Sequence, residues 1–253
     1  MKLITIILIL LLGLLLVSLA SNYYFYKKAL LRMYADKLDP VGLNYYPDAA
    51  STELPKPSNK LKPKVMFYGD SRALSWGNPT FDQYEFINRA IGGQTSIQIV
   101  SRFQQHVVAH QPDIIIFQLC VNDLKMIPLF PAKEREIIEN CKNNLQQLLQ
   151  LAHNIKAKVI LSTVFPLGDV SIMRKAFGVR EKPIIKAIDE VNDYIHSLAD
   201  DKTVILDAYG LLKDLNSADE TKKIAPHYSK DWLHLNASGY EMLNKELVNL
   251  LEN

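Results

Sequence analysis

Two short stretches far apart in the chain carry the residue types of nucleophilic catalysis. The first is FYGDSRALSWG, residues 67–77, in which Ser71 follows an apolar run and precedes a helix-like segment. The second is DWLHLNASGY, residues 231–240, in which Asp231 and His234 are three positions apart. A serine hydroxyl is a weak nucleophile until a base takes its proton. A histidine can be that base, and an aspartate on its other ring nitrogen fixes the tautomer and stabilises the imidazolium. Between the two stretches lie NRAIGGQTS (88–96) and CVNDL (120–124). They offer donors for an oxyanion: the backbone N–H groups of Ser71 and Gly93 and the carboxamide of Asn122. A glycine leaves its N–H unscreened by a side chain. On the first stretch alone a plainer reading stands equally, because Ser and Asp also cap helices.

The elements that must hold these residues alternate along the chain. Strand-like runs fall at 64–69, 85–91, 113–120, 157–165 and 203–209, and helical patterns at about 95–110, 132–154, 181–199 and 237–252. Strands that alternate with helices and are apolar throughout predict a parallel α/β sheet covered on both faces. In such open sheets the ligand site lies beyond the carboxyl ends of the strands. Ser71, Gly93 and Asn122 each follow a strand-like run, so they and the Asp231–His234 pair are expected to converge on one sheet edge.

With these residues in this order, the sequence resembles the SGNH/GDSL hydrolase superfamily over roughly residues 62–252. Gly69-Asp70-Ser71-Arg72 matches the nucleophile block, Gly93 the second, Cys120-Val121-Asn122-Asp123 the third and Asp231-Trp232-Leu233-His234 the last. The resemblance implies a three-layer αβα sandwich around a parallel sheet of about five strands, flavodoxin-like. It implies Ser71, Asp231 and His234 as catalytic residues and Ser71, Gly93 and Asn122 as the oxyanion hole, with no metal and no cofactor. Two positions depart from the family pattern. Arg72 stands where leucine is common, which adds a positive charge near the site, and Cys120 stands where glycine is usual, which crowds the oxyanion loop. The Gly-x-Ser-x-Gly elbow of the α/β-hydrolases is missing.

Other polar residues are read as structural. Asp70 is expected to orient the nucleophile loop by accepting backbone N–H bonds. Asp207 ends the fifth run and is the lesser candidate for the triad acid. His106 and His110 have i, i+4 spacing but Val107 replaces the glutamate of His-Glu-x-x-His, so they read as a surface pair. His227 is a neighbour of the site or a loop histidine. Asn236 lies in a glycosylation sequon, but a glycan beside His234 would block the cleft, so it reads as a turn or cap residue.

The net charge of +2 and the lack of a basic block point away from nucleic acid. The two cysteines, Cys120 and Cys141, are too few for a disulfide framework and leave the redox compartment open. Residues 3–20 carry no charge and are followed by Tyr23, Tyr24, Tyr26, Lys27, Lys28 and Arg32. That pattern suits a single membrane-spanning helix with interfacial anchors. Ser18-Leu19-Ala20 also resembles a signal-peptidase site, which would make the protein secreted. The basic residues after the span favour a cytoplasmic C-terminal side, whereas a signal-like start on an enzyme domain favours the extracytoplasmic side, which is the expectation taken. The organisation expected is an anchor at 1–22, a tether at 23–60 and the hydrolase domain at 61–253, with residues 166–182 as a long connection where a lid or acyl-pocket wall would sit. The function expected is a serine esterase acting through a covalent acyl-enzyme on a lipid or envelope-glycan ester. The rivals are O-acyl transfer at the same site and a catalytically silent binding module.

Overall fold

The strands form because their apolar residues are packed from both sides. In the computed structural model, which describes residues 2–46, 62–215 and 223–252, β1 (Lys64–Gly69), β2 (Glu85–Asn88), β3 (Ile114–Gln118), β4 (Lys158–Ser162) and β5 (Thr203–Leu206) form one sheet in the order β2-β1-β3-β4-β5. Every pairing is parallel, and one row runs Asn88, Phe67, Ile116, Ile160, Val204 across the sheet. Successive side chains point to opposite faces. Met66, Tyr68, Ile115, Phe117, Val159 and Leu161 pack on one side, with α3 (Ser96–Ser101), α4 (Phe103–His106), α6 (Glu134–Asn154) and α8 (Glu181–His196). Val65, Phe67, Ile116, Ile160 and Leu206 pack on the other, with Trp76, α9 (Ala208–Leu212) and α10 (Ala237–Glu252). The result is the three-layer α/β sandwich that the alternating pattern and the resemblance led us to expect.

The strands end two or three residues short of the apolar runs in β2 to β5, where the chain peels away into the site loops. α6 and α8 are single long helices because each carries one apolar stripe. Ile138, Cys141, Leu145, Leu148, Leu149 and Ala152 are buried on α6, and Ile184, Ile185, Ile188, Val191 and Ile195 on α8. Three short helices carry the loops: α2 (Ser71–Leu74), α5 (Val121–Leu124) and α7 (Ile172–Ala176). In α7 and just beyond it, Ile172, Met173 and Phe177 are exposed.

The N-terminal unit, residues 1–41, contains α1 (Lys2–Leu38), a 37-residue helix with no buried residue and a mean hydropathy of 3.1 over its most apolar window. It is long and apolar enough to cross a membrane, a property that signal sequences share. The second unit begins at Gly42. The Tyr46 hydroxyl donates to Ala90 O at 2.6 Å, the Arg89 guanidinium lies 4.6 Å from the Tyr46 ring, and Gln105 Nε2 donates to Leu43 O at 3.3 Å. The later part of the expected tether, residues 47–60, lies outside the described residues.

Candidate active site

Ser71 is the first residue of α2, and its position is set by the residue before it. Asp70 is extended and its Oδ1 accepts the Arg72 N–H at 2.8 Å, which caps α2. Gly69 is required by close approach, since a Cβ there would lie 1.8 Å from Gln118 O of β3. This corner turns the Ser71 Oγ to within 2.9 Å of His234 Nε2. On the far side of the ring, His234 Nδ1 is 2.9 Å from Asp231 Oδ2 and 3.1 Å from Oδ1.

The Asp231 carboxylate also organises its own loop. Its Oδ1 accepts the Leu233 N–H at 2.7 Å and the His234 N–H at 2.9 Å. Burial pushes its pKa up, but the hydrogen bonds from Leu233 and His234 outweigh that and hold it below the ordinary carboxylate value. An ionised Asp231 accepts the hydrogen bond of Nδ1–H and so holds the ring proton there, which leaves Nε2 as the acceptor for the Ser71 hydroxyl. Asn236 closes the loop as the cap of α10: its Oδ1 accepts the Gly239 N–H at 3.1 Å and its Nδ2 donates to His227 O at 2.8 Å.

The second and third loops pack onto the same corner. A Cβ on Gly92 would be 3.7 Å from that of Ser71, so the Gly92-Gly93 turn lies against the serine. Gly93 has φ +81 with nothing near its missing side chain, so backbone conformation and not space calls for glycine. Asn88 Nδ2 donates to Ala73 O at 2.9 Å and fastens this loop to α2. Asn122, 2% exposed, donates from Nδ2 to Gln94 O at 2.9 Å, while Lys125 Nζ donates to Asn122 Oδ1 at 2.5 Å. Asp123 accepts from Ser96 N at 2.9 Å and Ser96 Oγ at 2.7 Å, and burial raises its carboxyl to about 6.

Cys120, beside Asn122, turns its side chain into the core. It is fully buried and bonded to Cys141 of α6, with a Cα–Cα distance of 6.0 Å. Its backbone has φ 83, so a cysteine occupies a left-handed position of the kind glycine favours. The expected crowding of the loop is therefore relieved by a covalent link into the core.

Arg72 brings its positive charge close to the site, as expected, but from inside the protein. Its charge does not face the cleft; the side chain is fully buried. Nε donates to Leu233 O at 2.7 Å, Nη1 to Phe165 O at 3.0 Å and Nη2 to Pro166 O at 3.3 Å. The guanidinium thus ties α2, which begins at Ser71, to the loop between Asp231 and His234. Burial lowers its pKa to about 10.

Arg102 makes a parallel link that sequence reasoning missed. It donates from Nε to Gln94 Oε1 at 2.5 Å, from Nη1 to Arg89 O at 2.7 Å and from Nη2 to Gly69 O at 3.0 Å, with its guanidinium 4.1 Å from the Tyr68 ring. One buried cation thereby joins the end of β1 to the Gly92-Gly93 loop. Its conspicuous signal was a charged residue on the apolar face of a helix.

The residues set aside in the sequence fall outside this relay. Asp207 caps α9 by accepting the Gly210 N–H at 3.0 Å and lies 3.8 Å from His196 Nε2. His106 is not a surface residue: it is buried, its Nδ1 3.4 Å from Arg102 Nη1 and its Nε2 3.1 Å from Leu43 O. Burying the apolar face of α4 carries it inward. Among the described residues no group of three His, Cys, Asp or Glu could hold a metal ion.

Comparison with known proteins shows the family and the fold. The model of the GDSL-like Lipase/Acylhydrolase family matches residues 67–242. The fold is similar to a GDSL-like lipase from Bacteroides thetaiotaomicron, at 23% identity and TM-score 0.62, covering 82% of this chain and 95% of that one. It is also similar to the acetylxylan esterase Axe2 from Geobacillus stearothermophilus, at 16% identity and TM-score 0.55, covering 75% and 95%. A further acetyl xylan esterase, AlAXEase, aligns at 22% identity and TM-score 0.58, covering 74% and 99%. No curated protein sequence matches the chain.

Proposed function

This chain belongs to the GDSL-like Lipase/Acylhydrolase family and is a hydrolase acting on ester bonds, and on that premise we propose that it is a membrane-anchored serine esterase working through a covalent acyl-enzyme. The observation that carries the reading is the continuous relay from Ser71 Oγ to His234 Nε2, 2.9 Å, and from His234 Nδ1 to Asp231 Oδ2, 2.9 Å.

His234 takes the Ser71 proton as Oγ attacks the ester carbonyl, and Asp231 stabilises the imidazolium formed. The carbonyl oxygen becomes an oxyanion, which the backbone N–H groups of Ser71 and Gly93 and the second N–H of Asn122 Nδ2 receive. The intermediate collapses to the acyl-Ser71 ester, and the leaving alcohol departs with the proton from His234. A water molecule then attacks the acyl-enzyme with His234 as base, which releases the acid and restores Ser71.

The substrate class is a lipid or acylated sugar of the cell envelope. The uncharged first part of α1 supports a bilayer location. The fold neighbours named as acetyl xylan esterases are consistent with a sugar ester. The domain lies on the extracytoplasmic side. The Cys120–Cys141 disulfide supports that side over the charge count flanking the span, because such bonds persist in oxidising compartments.

The test is covalent labelling. A fluorophosphonate probe should modify the full chain at Ser71 and at no other serine, and Ser71→Ala should abolish both labelling and hydrolysis of p-nitrophenyl esters. Equal labelling of the Ser71→Ala protein would refute the assignment.

A further inference from the structure

The Asn122 carboxamide is held from both ends. Its Nδ2 donates one proton to Gln94 O at 2.9 Å, and its Oδ1 accepts from Lys125 Nζ at 2.5 Å. An amide nitrogen carries two protons, so one is left for a substrate oxygen. Reversing the amide would set Oδ1 against the Gln94 carbonyl and the NH₂ group against an ammonium, two mismatches in a site that is 2% exposed. Lys125 lies one turn beyond Asn122, as the residue that ends α5, and its side chain is half-buried.

We infer that Lys125 is a positioning residue of the esterase site, one that fixes the Asn122 carboxamide and polarises it so that the remaining Nδ2–H meets the oxyanion. A cation on the carbonyl oxygen of an amide draws electron density from its nitrogen and makes the N–H a stronger donor. A charge-assisted hydrogen bond of this kind is about twice as strong as a neutral one. The effect acts on the step in which negative charge develops, because the substrate carbonyl carries little of it beforehand. Groups of both signs face the ammonium. Burial lowers the Lys125 pKa, and Asp70 at the α2 cap and Asp123 on α5 oppose that while Arg72 reinforces it. The inference rests on the serine-esterase reading above and adds to it a residue outside the family motif.

The experiment is a double-mutant cycle in the full chain solubilised in detergent. It uses p-nitrophenyl acetate turnover and the rate of fluorophosphonate labelling at Ser71, with near-ultraviolet circular dichroism to establish folding. Lys125→Met should lower kcat and the labelling rate about tenfold with KM within about twofold, a fraction of the ~10²–10³ that loss of a whole oxyanion donor costs. Lys125→Arg, which keeps charge and donor, should recover most of the loss. In an Asn122→Ala background the Lys125→Met change should have less than about twofold further effect. A folded Lys125→Met protein with undiminished rates overturns the inference. So does an equal loss in both backgrounds, which would mean that the ammonium acts elsewhere than through Asn122. If Lys125→Met fails to fold, Lys125→Gln decides: it must fall below Lys125→Arg in kcat, and equality of the two overturns the role of charge. Ser71→Ala is measured beside these variants. Full labelling of that protein would sink the esterase reading itself, whereas loss of labelling there with no Lys125 effect sinks only the inference.

Discussion

Cys120 combines a disulfide with a left-handed backbone, and two paired replacements separate the contributions. The bridge to Cys141 spans a sequence separation of 21. Cross-linking a loop of that length removes about 11 cal/mol/K of chain entropy from the unfolded state, or about 3 kcal/mol at 25 °C. Replacing both cysteines by alanine forfeits that amount and leaves an alanine at φ 83. Cys120→Gly with Cys141→Ala forfeits the same bridge but relieves the backbone, which returns about 1 kcal/mol. The alanine pair should therefore lose about 3 kcal/mol and the glycine pair about 2 kcal/mol. At roughly 2–4 °C per kcal/mol for a domain of this size, the alanine pair should melt roughly 6–12 °C lower than the parent. Urea unfolding followed by the fluorescence of Trp76, which is 1% exposed in the core, reads both values. Treating the parent protein with a reductant should reproduce most of the loss. Equal stability of the two pairs would refute the backbone argument, and a loss under 1 kcal/mol in the alanine pair would refute the loop-closure argument.

Two further outcomes follow from the buried charges around the corner. Arg72→Met should cost about 3 kcal/mol or more, because the carbonyls of Leu233, Phe165 and Pro166 lose their donor, and it should lower kcat because Leu233 sits between Asp231 and His234; an unfolding midpoint and a kcat both equal to the parent's would discredit the link. Asp70 titrates at about 7 in the folded protein, chiefly because burial disfavours its charge against the opposing pull of Arg72. Its folded pKa is above the unfolded one, so its favourable contribution is complete below about pH 4 and is lost as pH rises toward 7. Asp70→Asn keeps an acceptor for the Arg72 N–H and removes the titration. Its stability relative to the parent should therefore climb between pH 4 and 8, and parallel urea midpoints across that range would contradict the reasoning.

The parts of this molecule that were legible in the sequence are those encoded locally. The central strands were plain because Val65 to Tyr68 and Ile114 to Phe117 are apolar on consecutive positions, which only a sheet covered on both faces tolerates. The last helix was expected at 237–252 and is observed there, since Asn236 caps it and its apolar stripe is regular. The pattern at 95–110 predicted one helix, and the chain instead breaks at Arg102 and Val107. There the side chains of Arg102 and His106 are drawn inward to carbonyls and Gln94, a demand invisible to hydrophobic periodicity. Ser71, Asp231 and His234 could be proposed from spacing, because strand ends deliver loops to a common edge. Arg72 and Lys125 could not, because their partners depend on where distant loops place a carbonyl or an amide. The partner of Cys120 was unreadable for a related reason: it is fixed by the docking of α6 and not by the distance between two cysteines in the chain.

The contacts made by Gly42 to Tyr46 bear on how a water-soluble version of this enzyme should be cut. The Tyr46 ring stands over the Arg89 guanidinium and beside His106, and its hydroxyl satisfies Ala90 O, two residues before the Gly92-Gly93 turn. His106 Nε2 in turn meets Leu43 O. A protein begun near residue 60, where the recognisable motifs start, strips this cover from the Arg89 guanidinium and the His106 imidazole. The natural place to sever the apolar helix from the catalytic unit is ahead of Gly42, so that the enzyme is released with the short strap that finishes its second site loop.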